Sequence, residues 1–539
     1  MKATTMKKLL LLGAILLTAW NFCSADNTTV NNKKVLVIML DGVRADATLH
    51  AFMPTLNQLK AGKWQKQYHC AYTDAAMVVQ DAPPHSAPNH ASIATGVTAA
   101  KHHVTRNGKT KTGNYQKYPH FLGHIAKKYP DFKCGFFYVW KESGYIASNS
   151  DQVLYQRGTD EETVNNACKF LADGDAAAVY INMPDYYGHM IGFYPRNPGY
   201  LASLTTCDTF LKKLLDAVAN RPNFDRENWL ILLTADHGGY RTFHDGLPHS
   251  GNMTTIPLLA AGKDVKQGMI KGTAYTYDIA VTALEFLNIN TQKLDLDGRA
   301  LGKEVQTQNA LPLSEKMVFH YDFAASKLPV KYDKKAIQLN ELGCFGNSLK
   351  LTGAAIRIPG SEKLALTNHN NFTITLWAKL PAQSSKDVVI IGNKDMSSAA
   401  NPGFALLANR QGDQQRKAEN AGIALSVGVK NGKPIELAQF DRSDNWNFYA
   451  ISITGNGTLY FCNGADDGYF YHMAFAAQDA VIANGLPIYI GQDGTGKKTQ
   501  KFQGEIDDLT FWSRGLSRLE LQKIYEAGRQ GRALQAKGK

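Results

Sequence analysis

The sequence predicts an α/β domain, a mostly parallel sheet with helices on both faces, followed by an all-β antiparallel sandwich. Three observations carry this. From Asp41 to about Gly302, apolar runs of strand length alternate with helical segments, the pattern of a sheet covered on both sides. From about Glu315 the pattern changes to alternating runs such as NFTITLWAKL, GIALSVGV, NFYAISITG, GTLYFCNG and LPIYIGQDG, separated by Gly, Asn and Asp turns, as in sandwiches. At 539 residues, the chain is also too long for one typical domain. The expected division is 26–302 for the first domain, a polar linker over 303–314, and 315–539 for the second.

The amino terminus reads as a targeting segment. Lys2, Lys7 and Lys8 precede the apolar run Leu9 to Trp20, and Cys23-Ser24-Ala25 follow. That charged, apolar, small-residue order over residues 1–25 is the order of a secretory signal, and the run is too short to span a membrane. The expectation is an exported protein, periplasmic or secreted. Cys23 raises lipoprotein anchoring, which bulky Phe22 disfavours. No later stretch is long and apolar enough for a transmembrane helix. Loss of the three signal lysines lowers the formal net charge from +12 to +9. Such a basic excess is usually a solvated face; it can draw in anionic substrates, but no aromatic-basic module suggests a nucleic-acid polymer as partner. Six cysteines remain, Cys70, Cys134, Cys168, Cys207, Cys344 and Cys462, without the close CxxC spacing of a zinc finger. Export permits disulfides, and their pairing cannot be read from sequence.

Within the first domain, three carboxylate or histidine clusters each follow an apolar strand-like run. They are VLVIMLDG with Asp41, VYINMPDYYGH with Asp185 and His189, and LILLTADHGG with Asp236 and His237; His249 lies shortly beyond. Strands ending in Asp and His present ligands at the crest of an open α/β sheet. Three Asp and three His match the nitrogen and oxygen demand of two adjacent zinc ions. Each piece has a bland reading. Asp41 alone could cap a helix, and Asp185 and His189 could be an ordinary helix-face pair. Their joint order favours a metallohydrolase. Between the first two clusters, PPHSAPNHASIATG places Ser86 in a Pro-rich turn. A serine hydroxyl is a poor nucleophile that a coordinated metal can activate, and two metals can hold both oxygens of an in-line displacement.

These strings resemble the alkaline phosphatase superfamily, closest to its nucleotide pyrophosphatase/phosphodiesterase branch. Ser86-Ala87-Pro88-Asn89-His90 echoes the family's nucleophile string, and His102, His103 and Asn107 fall at the spacing of its phosphate-binding Asn. Pro184, Asp185, Gly188, His189 and Gly192 match Pro-Asp-x-x-Gly-His-x-x-Gly, while Asp236, His237 and Gly238 match Asp-His-Gly. Phe136, Phe137, Tyr138 and Trp140 echo an aromatic strand after the nucleophile. The resemblance implies one zinc on Asp185, His189 and His249 and a second on Asp41, Asp236 and His237, with Ser86 bridging toward the phosphate. It implies attack by Ser86, a phosphoserine that water then hydrolyses, and Asn107 donating to a phosphoryl oxygen. The substrate would be a small-molecule or glycan-linked phosphate ester.

Departures qualify the match. Only eleven residues separate His237 from His249, where the phosphodiesterases of the branch carry a longer segment, so phosphomonoesterase activity on the same site is the alternative. His244 competes with His249; the Ile-Pro-Leu and closing Gly that follow favour His249. His85, His90, His102 and His103 are expected in loops or behind the ligands. Tyr186 and Tyr187 either stack on a base or sugar or pack beside the site. A sulfatase is the nearest competitor, but its Ser-x-Pro-x-Arg string meets His90 where Arg should stand. Calcium would favour oxygen ligands, whereas this histidine-rich set favours zinc.

In the second half, SLKLTG, FTITLWAKL, WNFYAISI and FQGEIDDLTFWSRGLSRLELQKIYEAG resemble a laminin-G/concanavalin-A-like jelly roll. Such domains often bind glycans, sometimes with Ca2+, and many only pack against an enzyme. A glycan-binding protein with an inactive enzyme domain is therefore the second class of function, and the complete ligand set argues against it.

Overall fold

The computed structural model describes residues 32–147, 150–245, 251–306, 311–323, 337–340, 343–361, 371–380, 387–410, 422–430, 435–440, 445–455, 457–466, 468–497 and 501–534. The signal segment 1–25 and His249 lie outside them. The first domain is an eight-stranded sheet. In chain order its strands are β1 (Lys33–Leu40), β2 (His69–Met77), β3 (Cys134–Tyr138), β4 (Val153–Arg157), β5 (Ala176–Ile181), β6 (Asn228–Ala235), β7 (Thr255–Gly262) and β8 (Gly268–Met269). They lie side by side in the order β4-β3-β5-β1-β6-β7-β2-β8. All neighbours are parallel except β7, which runs against both β6 and β2.

Central position explains composition. β1, β5 and β6 have partners on both edges and helices on both faces, so they read as unbroken apolar runs rather than alternating ones. Val35–Ile38, Ala176–Val179 and Ile231–Leu232 have no exposed surface. The helix Pro198–Ala219, expected from Tyr200 to Asn220, buries Leu204, Leu211, Leu214 and Leu215 against this core.

The second domain has two antiparallel sheets of eight and six strands closing over an apolar core of Ile374, Leu376, Leu406, Leu425, Ile451 and Phe461. The helix Arg518–Arg529 begins with a capping box, Ser517 and Glu520 satisfying each other's backbone N–H groups. First-domain contacts extend past Gly302: Val305 bridges Ile270, and the Gln306 N–H donates to the Met269 carbonyl at 2.7 Å. The strand Met317–Tyr321 already pairs within the sandwich.

The two domains share a core. Ala75 and Met77 at the end of β2 sit in one apolar cluster with Trp377, Phe470, Ala474, Trp512, Leu521 and Tyr525 of the sandwich. The sandwich strand Phe470–Ala476 crosses β2 and β7, where Thr255 Oγ1 both accepts from the Ala474 N–H at 2.8 Å and donates to its carbonyl at 3.2 Å. All six cysteines are unpaired. Among the described residues, no helix is long and apolar enough to cross a membrane.

Candidate metal centre and nucleophile

Strand order brings the sequence clusters together. Leu40, the last residue of β1, lies opposite Ile181 of β5 and Ala235 of β6, so Asp41 and Asp236 emerge side by side. Asp185 follows in the first turn of the helix Met183–Ile191. Because β7 runs in reverse, the segment from Asp236 to Thr254 stays on the crest before descending. Gly42 makes the approach between Asp41 and the Asp185 helix. It has φ +73°, and a Cβ there would lie 2.6 Å from the Asp185 Cα, so only glycine fits.

Asp41, Asp236 and His237 place one ligand atom each within 4.8 Å of one another, as do Asp185, His237 and His244. His189 Nε2 is 3.4 Å and His244 Nε2 3.7 Å from Asp185 Oδ1. Of the expected ligand residues, the structure thus gathers Asp41, Asp185, His189, Asp236 and His237. His244 comes in where either it or His249 was expected. Both groups lie in the first domain; among the described residues the sandwich presents no comparable group.

The imidazole tautomers are set by the backbone. Nδ1 of His237, His189 and His244 faces the carbonyls of Gly238, Thr242 and Pro84 at 2.8, 2.8 and 3.0 Å. A carbonyl only accepts, so each Nδ1 carries the proton and each neutral ring turns its Nε2 lone pair into the cluster. For His244, burial and the neighbouring His237 and His189 push the pKa down to about 2, so it is neutral. These lone pairs point at carboxylate oxygens: His237 Nε2 is 3.4 Å from Asp41 Oδ1 and 3.3 Å from Asp236 Oδ2. Asp41 Oδ1 and Asp185 Oδ1 are buried with no hydrogen-bond partner. Burial, with Asp236 and Asp185 close by, drives the Asp41 carboxyl well above its ordinary range. Acceptors converging on acceptors in a buried site fit cations held between them, and the N/O donor set fits zinc.

Ser86 heads the helix Ser86–Thr95 and is buried, its hydroxyl 3.1 Å from His237 Nε2. The Ala87 N–H donates to Asn107 Oδ1 at 2.9 Å, which ties Asn107 to the nucleophile's helix and leaves its NH2 as the group able to donate elsewhere.

Residues 35–253 match the family model described as Type I phosphodiesterase / nucleotide pyrophosphatase. The first domain belongs to the alkaline phosphatase superfamily, in its phosphodiesterase-like branch. Residues 352–522 match the model of the concanavalin A-like lectin/glucanases superfamily. No curated protein sequence matches the chain. Among solved structures, murine ectonucleotide pyrophosphatase / phosphodiesterase 5, an inactive variant in complex with AMP, aligns at 14% identity over 48% of this chain and 96% of that one, TM-score 0.38. Its human counterpart aligns at 14% over 49% and 100%, TM-score 0.38. A 2-O GAG sulfatase aligns at 12% over 52% and 76%, TM-score 0.40. The phosphodiesterase-like domain is a hydrolase domain.

Other residues of this phosphodiesterase-like crest were not singled out from sequence. Arg44 is buried and binds Asp46 through two nitrogens at 2.9 and 2.6 Å. It also donates to the Phe193 carbonyl at 3.1 Å and Asn252 Oδ1 at 2.9 Å. One side chain therefore fastens the loops after β1, the Asp185 helix and the approach to β7. His90 sits behind the ligands, as expected: its Nε2 is 3.1 Å from Asp236 Oδ2 and 3.4 Å from Asp41 Oδ2, while Ser143 contacts its Nδ1 at 2.9 Å. Tyr186 and Tyr187 are 59% and 39% exposed, beside exposed Met190 and Ile191. They form a surface next to His189 rather than core packing.

Proposed function

We propose that the protein is an exported two-zinc phosphoric ester hydrolase of the phosphodiesterase type that works through a phosphoserine on Ser86. The observation that supports this most is the convergence of three histidine lone pairs and three carboxylates beside a buried serine. Asp41, Asp236 and His237 would hold one zinc, with Asp185, His189 and either His244 or His249 holding the other. When bound, the metal pair supplies charge neutralisation and lowers the cost of the serine alkoxide.

Ser86 Oγ attacks phosphorus, forming the Oγ–P bond as the bond to the leaving oxygen breaks. The serine proton leaves to solvent and the departing alkoxide is protonated. Water then attacks the phosphoserine, releasing phosphate or its monoester and restoring Ser86. The Asn107 NH2 donates to a nonbridging phosphoryl oxygen, since its carbonyl is committed to Ala87. His90, through its Nε2–H, holds Asp236 in register with Asp41. The exposed Tyr186 and Tyr187 offer a face for the substrate's organic part, a small-molecule or glycan-linked group.

The eleven residues between His237 and His249 favour a second reading, phosphomonoesterase action at the same site. Hydrolysis of bis-p-nitrophenyl phosphate beside p-nitrophenyl phosphate separates them. Preference for the diester, lost on chelation and restored by zinc, supports the first; monoester preference supports the second. Release from neither ester by zinc-loaded protein would turn attention to the sandwich as the active part. Glycan-array binding, with and without Ca2+, tests that role.

A further inference from the structure

A cavity of about 710 Å³ opens where the helix Phe121–Lys128 meets the segments around Tyr115 and Ile146. Its walls include Tyr115, Lys117, His120, His124, Lys127 and Ser150. Tyr115 and Ile146 pack in one apolar cluster with Ala87, Ala91 and Ala94, so the cavity borders the nucleophile's helix but contains none of the crest residues. Three polar atoms on its walls are buried without a hydrogen-bond partner among the described residues: the Tyr115 hydroxyl, His120 Nε2 and His124 Nε2. The esterase chemistry uses none of them.

His120 decides what kind of ligand could satisfy them. Its Nδ1 accepts the Leu122 backbone N–H at 3.1 Å, capping the helix. A neutral imidazole that accepts at Nδ1 carries its proton on Nε2. Burial, with His124 adding to it, pushes the ring's pKa down to about 3, so the neutral form stands. His120 Nε2 is therefore a donor and has no lone pair for a metal. The Tyr115 hydroxyl can donate as well, and its ring is 5% exposed. Lys117 and Lys127 contribute positive charge to the wall, Lys117 sharing Asp295 at 3.3 Å. Inward donors beneath ammonium groups select an acceptor-rich anion. The volume exceeds that of a bare oxyanion and suits a sugar-sized molecule.

We propose that this cavity is a second binding site, separate from the catalytic crest, for a small phosphate- or sulfate-type anion. Its oxygens accept from the Tyr115 hydroxyl and His120 Nε2, and from His124 in its Nε2–H tautomer. The site does not depend on the esterase reading.

Isothermal titration calorimetry on the full chain tests it, after EDTA treatment so that no catalytic metal draws the probe. Inorganic phosphate and glucose 6-phosphate are the probes. Saturable binding of at least one is expected, weakened at least about tenfold by Tyr115→Phe and by His120→Asn, the loss of a hydrogen bond to a charged group. Asparagine keeps a helix-capping side chain. Unchanged melting temperature and unchanged p-nitrophenyl ester turnover after zinc reloading show the variants folded. Tighter glucose 6-phosphate assigns the rest of the cavity to a sugar, and equal affinities assign it a free oxyanion. Binding of neither probe, or binding that survives both substitutions, overturns the proposal. A zinc stoichiometry that drops by one in His124→Gln overturns it too, in favour of a metal site. Should both variants fail to fold, Lys127→Glu on the exposed wall must weaken the probe; unchanged affinity then sinks the idea.

Discussion

Two groups of buried carboxylates are managed in opposite ways. At the seam between the domains, Asp74 is buried but answered: Lys60 Nζ lies 2.5 Å and Arg518 Nη2 3.2 Å away, and its backbone carbonyl accepts from His472 Nε2 at 2.6 Å. Burial pushes its pKa up, yet Lys60 and Arg518 outweigh it and hold the carboxyl at about 2. At the crest, Asp41 and Asp185 are buried with oxygens aimed at imidazole lone pairs and no protein cation between them. A buried charge without a counter-charge is costly. The seam carries its own compensation and is structural; the crest leaves it to a ligand and is functional.

The comparison can be tested from its largest expected effect downward. Ser86→Ala is expected to reduce p-nitrophenyl ester turnover by about a thousandfold or more while zinc content by plasma mass spectrometry stays at two per chain. Retained turnover would remove Ser86 as nucleophile. EDTA should abolish turnover and lower the melting temperature, and zinc should restore both. A ligand at a thousand times its dissociation constant adds about 4 kcal/mol, so an unmoved melting temperature would contradict a charge-compensating cation. Asn107→Ala should lower kcat about a hundredfold with little change in zinc content; an effect on zinc alone would make Asn107 a structural residue.

At the seam, Arg518→Met should cost about 3 kcal/mol in urea unfolding with turnover per folded molecule unchanged. Loss of activity without loss of stability would couple the seam to the crest. The smallest effect is a pH dependence. Because the folded-state pKa of Asp74 is depressed to about 2, its contribution is full above its unfolded value near 4 and is lost as pH falls from there through 2. That contribution is roughly 2 kcal/mol. The stability gap between wild type and Asp74→Asn should therefore narrow between pH 5 and pH 2, and a gap constant over that range would refute the ion pair.

Local signals were legible where chemistry coincides with a strand end. Asp41, Asp236 and His237 follow apolar runs that become the paired central strands β1 and β6. Asp185 and His189 were legible as one turn of helix. What escaped depends on segments distant in the chain. Arg44 looks like any loop arginine until the fold brings Phe193 and Asn252 to it. Asp74 and Arg518 are 444 residues apart, and no local pattern pairs them. The reversed direction of β7 leaves no mark in an apolar run. Spacing alone could not choose between His244 and His249, because both lie on the same crest segment. The sandwich was legible from its alternation, but its shared core with Ala75 and Met77 was not, since those residues read equally well as the buried end of β2.

The three ligand imidazoles are oriented by the carbonyls of Gly238, Thr242 and Pro84, groups that every residue type supplies. The aim of the site is thus written in the course of the polypeptide rather than in the identity of its supporting side chains. Substitution at Thr242 leaves the carbonyl in place, whereas a change of loop length would swing a ligand out of line. Evolution can rewrite the letters around this centre freely so long as it does not insert or delete one.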